Sequence, residues 1–164
     1  MRYLAMALGA GAIVGLDQLT KYLTVQHIPL YGTVPVWDGI VHLTYFRNTG
    51  MAFSLLEGAR WLFLVLTAAF LVVAVLAVVK KWLTHPLALT ALTMIVGGGV
   101  GNMIDRAIHG YVVDMIEVDF MNFAIFNVAD CFVTIGAVLL VIWAIFFDRR
   151  KPKTPEEAAD DHSL

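Results

Sequence analysis

Two acids, Asp114 and Asp130, stand at the edge of sequence apolar enough for a lipid interior. Ionisable groups in such surroundings are rare and mark function. Three polar islands hold them or lie close by: Gly97-Gly98-Gly99-Val100-Gly101-Asn102-Met103-Ile104-Asp105-Arg106, then Val112-Val113-Asp114, then Phe126-Asn127-Val128-Ala129-Asp130. We read them as one site.

The two acids sit in different settings. If Tyr111 to Phe120 is extended, Val112, Asp114, Ile116, Val118 and Phe120 share one face, and Asp114 is the odd member of an apolar row. Burial among such neighbours raises a carboxyl pKa, so Asp114 can hold a proton at neutral pH. Asn127 is placed to cap the last helix, with Asp130 at its third position near the positive end of the dipole, which favours a charged carboxylate. Such a pair suits hydrolysis by activated water: one carboxylate takes a proton from water while one carboxylic acid gives a proton to the carbonyl oxygen. Taken alone, an acid at the position of Asp130 is more often a capping residue with no catalytic role.

Other chemistries lack their parts. Ser54 has no Lys or His partner near it in sequence, and Cys131 has no adjacent base, so neither is an activated nucleophile. His27, His42, His85 and His109 are scattered and no H-E-x-x-H occurs, which removes a metalloprotease. Phosphate-binding glycine loops are absent too, and the chemistry is expected to need no cofactor and no metal. A single cysteine cannot form an internal disulfide and reads as a small buried hydrophobe.

The elements that must position the acids are membrane helices. Of 164 residues, 60% are hydrophobic and 15% charged, against about 25% charged in an average soluble domain. Four stretches approach the roughly 20 apolar residues a span requires: about 3–25, 61–79, 86–104 and 128–147. The first contains Asp17 and Lys21 and could be mistaken for a cleaved signal peptide. We read it as a retained span, because the apolar pattern continues past Asp17 and the i, i+4 spacing lets the two charges meet on one face. Residues 1–150 form a single four-helix domain in this reading, and 151–164 an acidic disordered tail.

Arg2, Lys80, Lys81, Arg149, Arg150, Lys151 and Lys153 fall on one side, against Lys21, Arg47, Arg60 and Arg106 on the other. That bias places both termini inside and the segments 26–60 and 105–127 outside. There is no nucleic-acid footprint. In the first outer segment, strand-forming runs flank Asp38-Gly39, which predicts a small β-hairpin, a lid or cradle at the membrane surface. Met51 to Leu56 is apolar enough to lie along that surface, and Trp37, Tyr45, Phe46 and Phe53 suit an interface. Gly98, Asn102 and Arg106 recur every four residues on one face of the third helix. Gly97 and Gly101 form a G-x-x-x-G packing step, Asn102 must find a hydrogen-bond partner, and Arg106 can pair with its neighbour Asp105.

The ordered set Asp17-Gln18-Leu19-Thr20-Lys21, Asn48-Thr49-Gly50-Met51-Ala52-Phe53, Gly98 to Arg106, Val112-Val113-Asp114 and Phe126 to Asp130 resembles the lipoprotein signal peptidases of bacteria, or type II signal peptidases. One departure is Met115, where the family pattern leads us to expect phenylalanine. The resemblance implies an all-α membrane protein of four transmembrane helices with a small β-hairpin or cradle on the extracytoplasmic side, in the bacterial inner membrane. It implies an aspartic endopeptidase with Asp114 and Asp130 as the catalytic pair. Asn48, Gly98, Asn102, Arg106 and Asn127 would line or brace the pocket, with Asp17 and Lys21 supporting the fold nearby. The substrate would be a prolipoprotein bearing a diacylglyceryl cysteine, cut on the N-terminal side of that cysteine. Membrane lipids and globomycin-type cyclic peptides are the other implied partners, and a monomer is expected.

Two rivals remain at this level. A proton-coupled transporter would use the acids as relays, but no internal repeat is visible and the acids cluster at one edge rather than the midplane. A scaffold that pairs helices through its glycine step would leave both acids dispensable.

Overall fold

The computed structural model describes residues 1–50, 59–121 and 123–148. Its elements run α1 (Arg2–His27), β1 (Thr33–Trp37), β2 (Val41–Asn48), α2 (Arg60–Val79), α3 (Pro86–Ile108), β3 (Val112–Val118) and α4 (Val128–Phe146). All four helices are long and apolar enough to cross a membrane. The strands form one antiparallel sheet in the order β1-β2-β3. The expected surface segment Met51 to Leu56, Ser54 within it, and the tail 151–164 lie outside the described residues.

Local sequence explains the helix ends nearest the site. α3 begins at Pro86, whose missing N–H costs nothing in the first turn, and His85 Nδ1 accepts from Leu87 N at 3.2 Å. It ends where Gly110 takes φ 84° and returns its N–H to Arg106 O, the left-handed stop that glycine makes without strain. The helix therefore runs past Ile104, so Asp105 and Arg106 belong to it and not to a loop. α4 opens with a full capping box: Asn127 accepts from Asp130 N, and the Asp130 side chain accepts from Asn127 N.

α3 is the central helix, packed against α1, α2 and α4. Its small residues permit this, as expected for helices that associate in lipid through close backbone approach. A Cβ at Gly97 would strike Ile13 of α1 at 2.8 Å, and one at Gly98 would strike the Ala129 carbonyl of α4. α2 instead exposes Trp61, Val65, Leu66, Val72 and Val75, a surface suited to hydrocarbon. Cys131 is half-buried rather than fully enclosed.

The hairpin expected around Asp38-Gly39 is present, with Ile40 N bonded to Trp37 O and Gly39 at φ 72°. The ladder resumes at Val41, one residue later than the strand pattern implied. β3 joins this hairpin as a third strand, pairing Val112 with Asn48 and Asp114 with Phe46. Between Phe46 and Leu43 the register shifts, leaving Thr44 and Tyr45 opposite Met115, and such a bulge re-aims side chains locally. Tyr45 and Met115 consequently pack with Ile28 and Val113 in a small core. β3 is thus covered on both faces from Val112 to Met115, not only on the apolar row predicted for it. The sheet sits where α1 and α3 end and α2 and α4 begin.

Candidate active site

Asp114 enters the site from β3 and is 1% exposed. Its Oδ2 accepts from Asn48 Nδ2 at 2.9 Å, two residues along β2 from its direct partner Phe46. Its Oδ1 accepts from Asn127 Nδ2 at 2.6 Å. Asp130, in the first turn of α4, accepts from Asn102 Nδ2 at Oδ1 (2.7 Å) and from the Asn127 backbone N–H at Oδ2 (3.2 Å). Each of the four carboxyl oxygens therefore receives an N–H, and Asn127 serves both acids.

The polarity of this amide chain is forced. Lys21 Nζ can only donate, and it reaches Asn102 Oδ1 at 2.9 Å, which turns the Asn102 NH₂ towards Asp130. The Asp130 backbone N–H occupies Asn127 Oδ1, which turns that NH₂ towards Asp114 and Asn102 Oδ1 (3.1 Å). Gly50 N likewise occupies Asn48 Oδ1. Orientations that are otherwise interchangeable in an asparagine are fixed here by obligate donors.

Burial pushes the Asp114 carboxyl up to about 7, and the nearby charge of Asp130 adds to the rise. The amides of Asn48 and Asn127, which favour the ionised form, and the charge of Lys21 hold it from going higher. This matches the expectation that Asp114 can carry a proton at neutral pH.

Beneath the acids lies a buried ion cluster. Lys21 bridges Asp17 at 2.9 Å and Asp105 at 3.1 Å, all three at most 3% exposed. Gln18 Nε2 reaches Asp105 Oδ1 at 2.9 Å, Asp17 Oδ2 at 3.2 Å and Gly101 O at 3.2 Å. The Asp17–Lys21 pair expected on one face of the first helix is thus formed and extended to α3. The expected Asp105–Arg106 pair is not. Neighbours on a helix diverge by about 100°, so Asp105 turns to α1. Arg106 turns away from it, donating to Gly50 O at 3.0 Å and lying over the Phe63 ring at 4.8 Å.

Asp17, Lys21, Asn48, Gly98, Asn102, Arg106 and Asn127, expected to line or brace the site, are brought to this region. Asn48, Asn102, Asn127 and Lys21 connect directly to the acids' network, Arg106 lies within electrostatic reach of Asp130, and Gly98 braces the α3–α4 contact beside Ala129. Asp105 and Gln18 were missed as members. The signal for Asp105 was present: it continues the four-residue row Gly97, Gly101 that faces α1. An apolar cleft of about 200 Å³ between α1, α2 and α3, lined by Tyr3, Ala7, Ala74, Val78 and Leu92 among others, opens at the opposite end of the bundle and holds none of these groups.

Residues 10–146 match the family model described as signal peptidase (SPase) II. A lipoprotein signal peptidase of Brevibacillus brevis is 41% identical over 142 residues, 87% of this chain and 95% of its own length. Another, from Streptococcus agalactiae serotype III, is 47% identical over 130 residues, 79% of this chain and 84% of its own. Two solved bacterial membrane enzymes, both determined by the in meso method, share the fold. One, at 2.3 Å resolution, has a TM-score of 0.84 and 30% identity, covering 92% of this chain and 93% of that one. The other, at 1.9 Å, has a TM-score of 0.79 and 32% identity, covering 88% and 94%. With four apolar helices, a sheet at one end and a family match across most of its length, the chain is a membrane peptidase of the signal peptidase II family.

Proposed function

We propose that the protein removes signal peptides from prolipoproteins, cutting on the N-terminal side of a diacylglyceryl-modified cysteine, by water activated between Asp114 and Asp130. The observation that carries this reading is the sharing of Asn127, whose side chain holds Asp114 and whose backbone holds Asp130. A buried carboxyl, Asp114, and a half-buried one, Asp130, tied to one residue are kept at a fixed separation, which is what a shared hydrolytic water requires.

In the resting enzyme Asp114 carries the proton. Asp130 takes a proton from water as the oxygen attacks the scissile carbonyl carbon, while Asp114 passes its own proton to the carbonyl oxygen. A tetrahedral diol results. In the second half, Asp130 returns a proton to the leaving amide nitrogen, the C–N bond breaks, and Asp114 recovers its proton as the carbonyl reforms. No acyl-enzyme is formed. Both amide hydrogens of Asn127 are committed, to Asp114 and Asn102, so Asn127 orients the acids instead of donating to the diol.

The site lies at the sheet end of the bundle, level with helix ends and not with their middles, where a lipid-anchored cysteine and the end of a signal helix would meet. In this reading that face is extracytoplasmic, both termini are cytoplasmic, and the membrane is the bacterial inner one. Cyclic peptides of the globomycin type would compete for the same cleft.

The test is cleavage of a defined precursor peptide by purified protein, with and without the diacylglyceryl group. A product whose new N-terminus is the lipidated cysteine, formed only from the lipidated peptide, is the expected result. Equal cleavage of the unlipidated twin, or cleavage elsewhere, would contradict the substrate assignment.

A further inference from the structure

The buried cluster beneath the acids has a specific geometry. Asp105 Oδ2 accepts the backbone N–H of Val113 at 3.0 Å, and Asp17 Oδ1 accepts the backbone N–H of Ala129 at 2.9 Å. Val113 immediately precedes Asp114, and Ala129 immediately precedes Asp130. The two carboxylates that hold these N–H groups are clamped together by one ammonium, Lys21. Lys21 also donates to Asn102, the residue that hydrogen-bonds Asp130.

We infer that Asp17, Lys21 and Asp105 form a positioning clamp that sets the gap between the Asp114 and Asp130 carboxyls by gripping the backbone one residue before each. This rests on the two-aspartate reading above and adds to it which residues fix the spacing. A buried ion cluster is a poor source of stability, because desolvation of the charges offsets much of their attraction. Its two outer acceptors do something an apolar core cannot. Asp105 of α3 fixes a backbone N–H of β3, Asp17 of α1 fixes one of α4, and Lys21 of α1 ties the two carboxylates together. Besides the clamp, β3 and the start of α4 are joined near the acids by the backbone bridge between Ile116 and Phe126, whose carbonyl accepts from Met115 N and Ile116 N, and by the Asn48–Asp114–Asn127–Asn102–Asp130 side-chain chain; only the clamp grips the residues immediately before both acids.

The informative substitutions keep or remove the acceptor at Asp105. Asp105→Asn retains an oxygen for Val113 N and Lys21 and gives up only the hydrogen bond from Gln18, whose amide stays on Asp17 and Gly101. Asp105→Leu removes the acceptor while keeping the number and branching of side-chain heavy atoms. A displacement of about 1 Å at reacting groups costs on the order of 100-fold in rate. Asp105→Leu is therefore expected to lose about 100-fold in kcat with KM within about twofold, and Asp105→Asn to stay within about tenfold of the parent kcat. Both would be measured on the lipidated peptide beside thermal midpoints.

A folded Asp105→Leu with parental kcat overturns the clamp, as does a loss shared equally between kcat and KM that tracks the thermal midpoint. If Asp105→Leu does not fold, Asp105→Asn decides: a 100-fold loss in a folded Asn variant would show that charge, not the backbone acceptor, is what matters. Asp114→Asn in parallel separates the two levels. Its full activity would remove the two-aspartate reading itself, whereas its inactivity beside an active Asp105→Leu removes only the clamp.

Discussion

Asn127 donates its side-chain amide to Asp114 at 2.6 Å, and its own backbone N–H lies 3.2 Å from the Asp130 carboxylate. A single residue at the start of α4 thus caps that helix and ties together two acids from different elements. Asn127→Ala removes the N-cap, worth about 1 kcal/mol, and leaves the buried Asp114 Oδ1 without its amide donor, on the order of 1–3 kcal/mol more. In the protein that stays folded the rate should fall by about 100-fold, because Asp114 is released from its shortest orienting contact. Parallel thermal melts and turnover measurements on the lipidated peptide check this; near-parental turnover by the folded variant would reduce Asn127 to a cap.

The pH dependence follows from Asp114. Its carboxyl is raised from the usual range to about 7, chiefly by burial, and the proposed mechanism needs it protonated. Activity should therefore fall as pH rises through about 7. Asn48 opposes the rise by donating to the ionised form, so Asn48→Ala should move the falling limb to higher pH. The same group acts on stability with a fixed sign: the native state holds this proton more tightly than the unfolded chain. The stability it contributes is fully present below about pH 4 and is lost as pH rises through about 7. A pH–rate profile of kcat/KM for both forms tests the first point, and melting between pH 4 and 8 the second.

Close helix contact makes a separate prediction. A Cβ at Gly98 would meet the Ala129 carbonyl, and at Gly136 the Ala91 carbonyl at 2.8 Å, whereas at Gly11 and Gly15 nothing lies within 4 Å. Gly98→Ala and Gly136→Ala should each destabilise by about 1–3 kcal/mol, the usual range for overpacking, and Gly11→Ala should be neutral or slightly stabilising. Detergent-solubilised thermal midpoints distinguish them.

Much of this arrangement was legible in the sequence because its signals are local. Hydropathy marked the spans, Asn127 and Asp130 carried the spacing of a capping box, and Asp17 and Lys21 stood one helical turn apart. What was not legible is non-local. β2 pairs with β3 across two intervening helices, and the bulge at Thr44 and Tyr45 that fits them together leaves no mark in the alternation of either strand. Asp105 looked like a partner for Arg106 because the two are adjacent, yet helix geometry sends their side chains to different neighbours. The family resemblance named residues with roles; it did not say that the acids would be linked through an amide chain whose direction Lys21 sets.

The most direct measurement of the central claim is single-turnover cleavage of the lipidated precursor by Asp114→Asn and Asp130→Asn, each shown by its melting curve to be folded. Removing a residue that acts only as part of a catalytic unit costs several orders of magnitude, and the account predicts a loss of at least about 10⁴-fold in each variant with peptide binding retained. Turnover by either folded variant at a rate near the parent's would contradict hydrolysis by water shared between these two carboxyls.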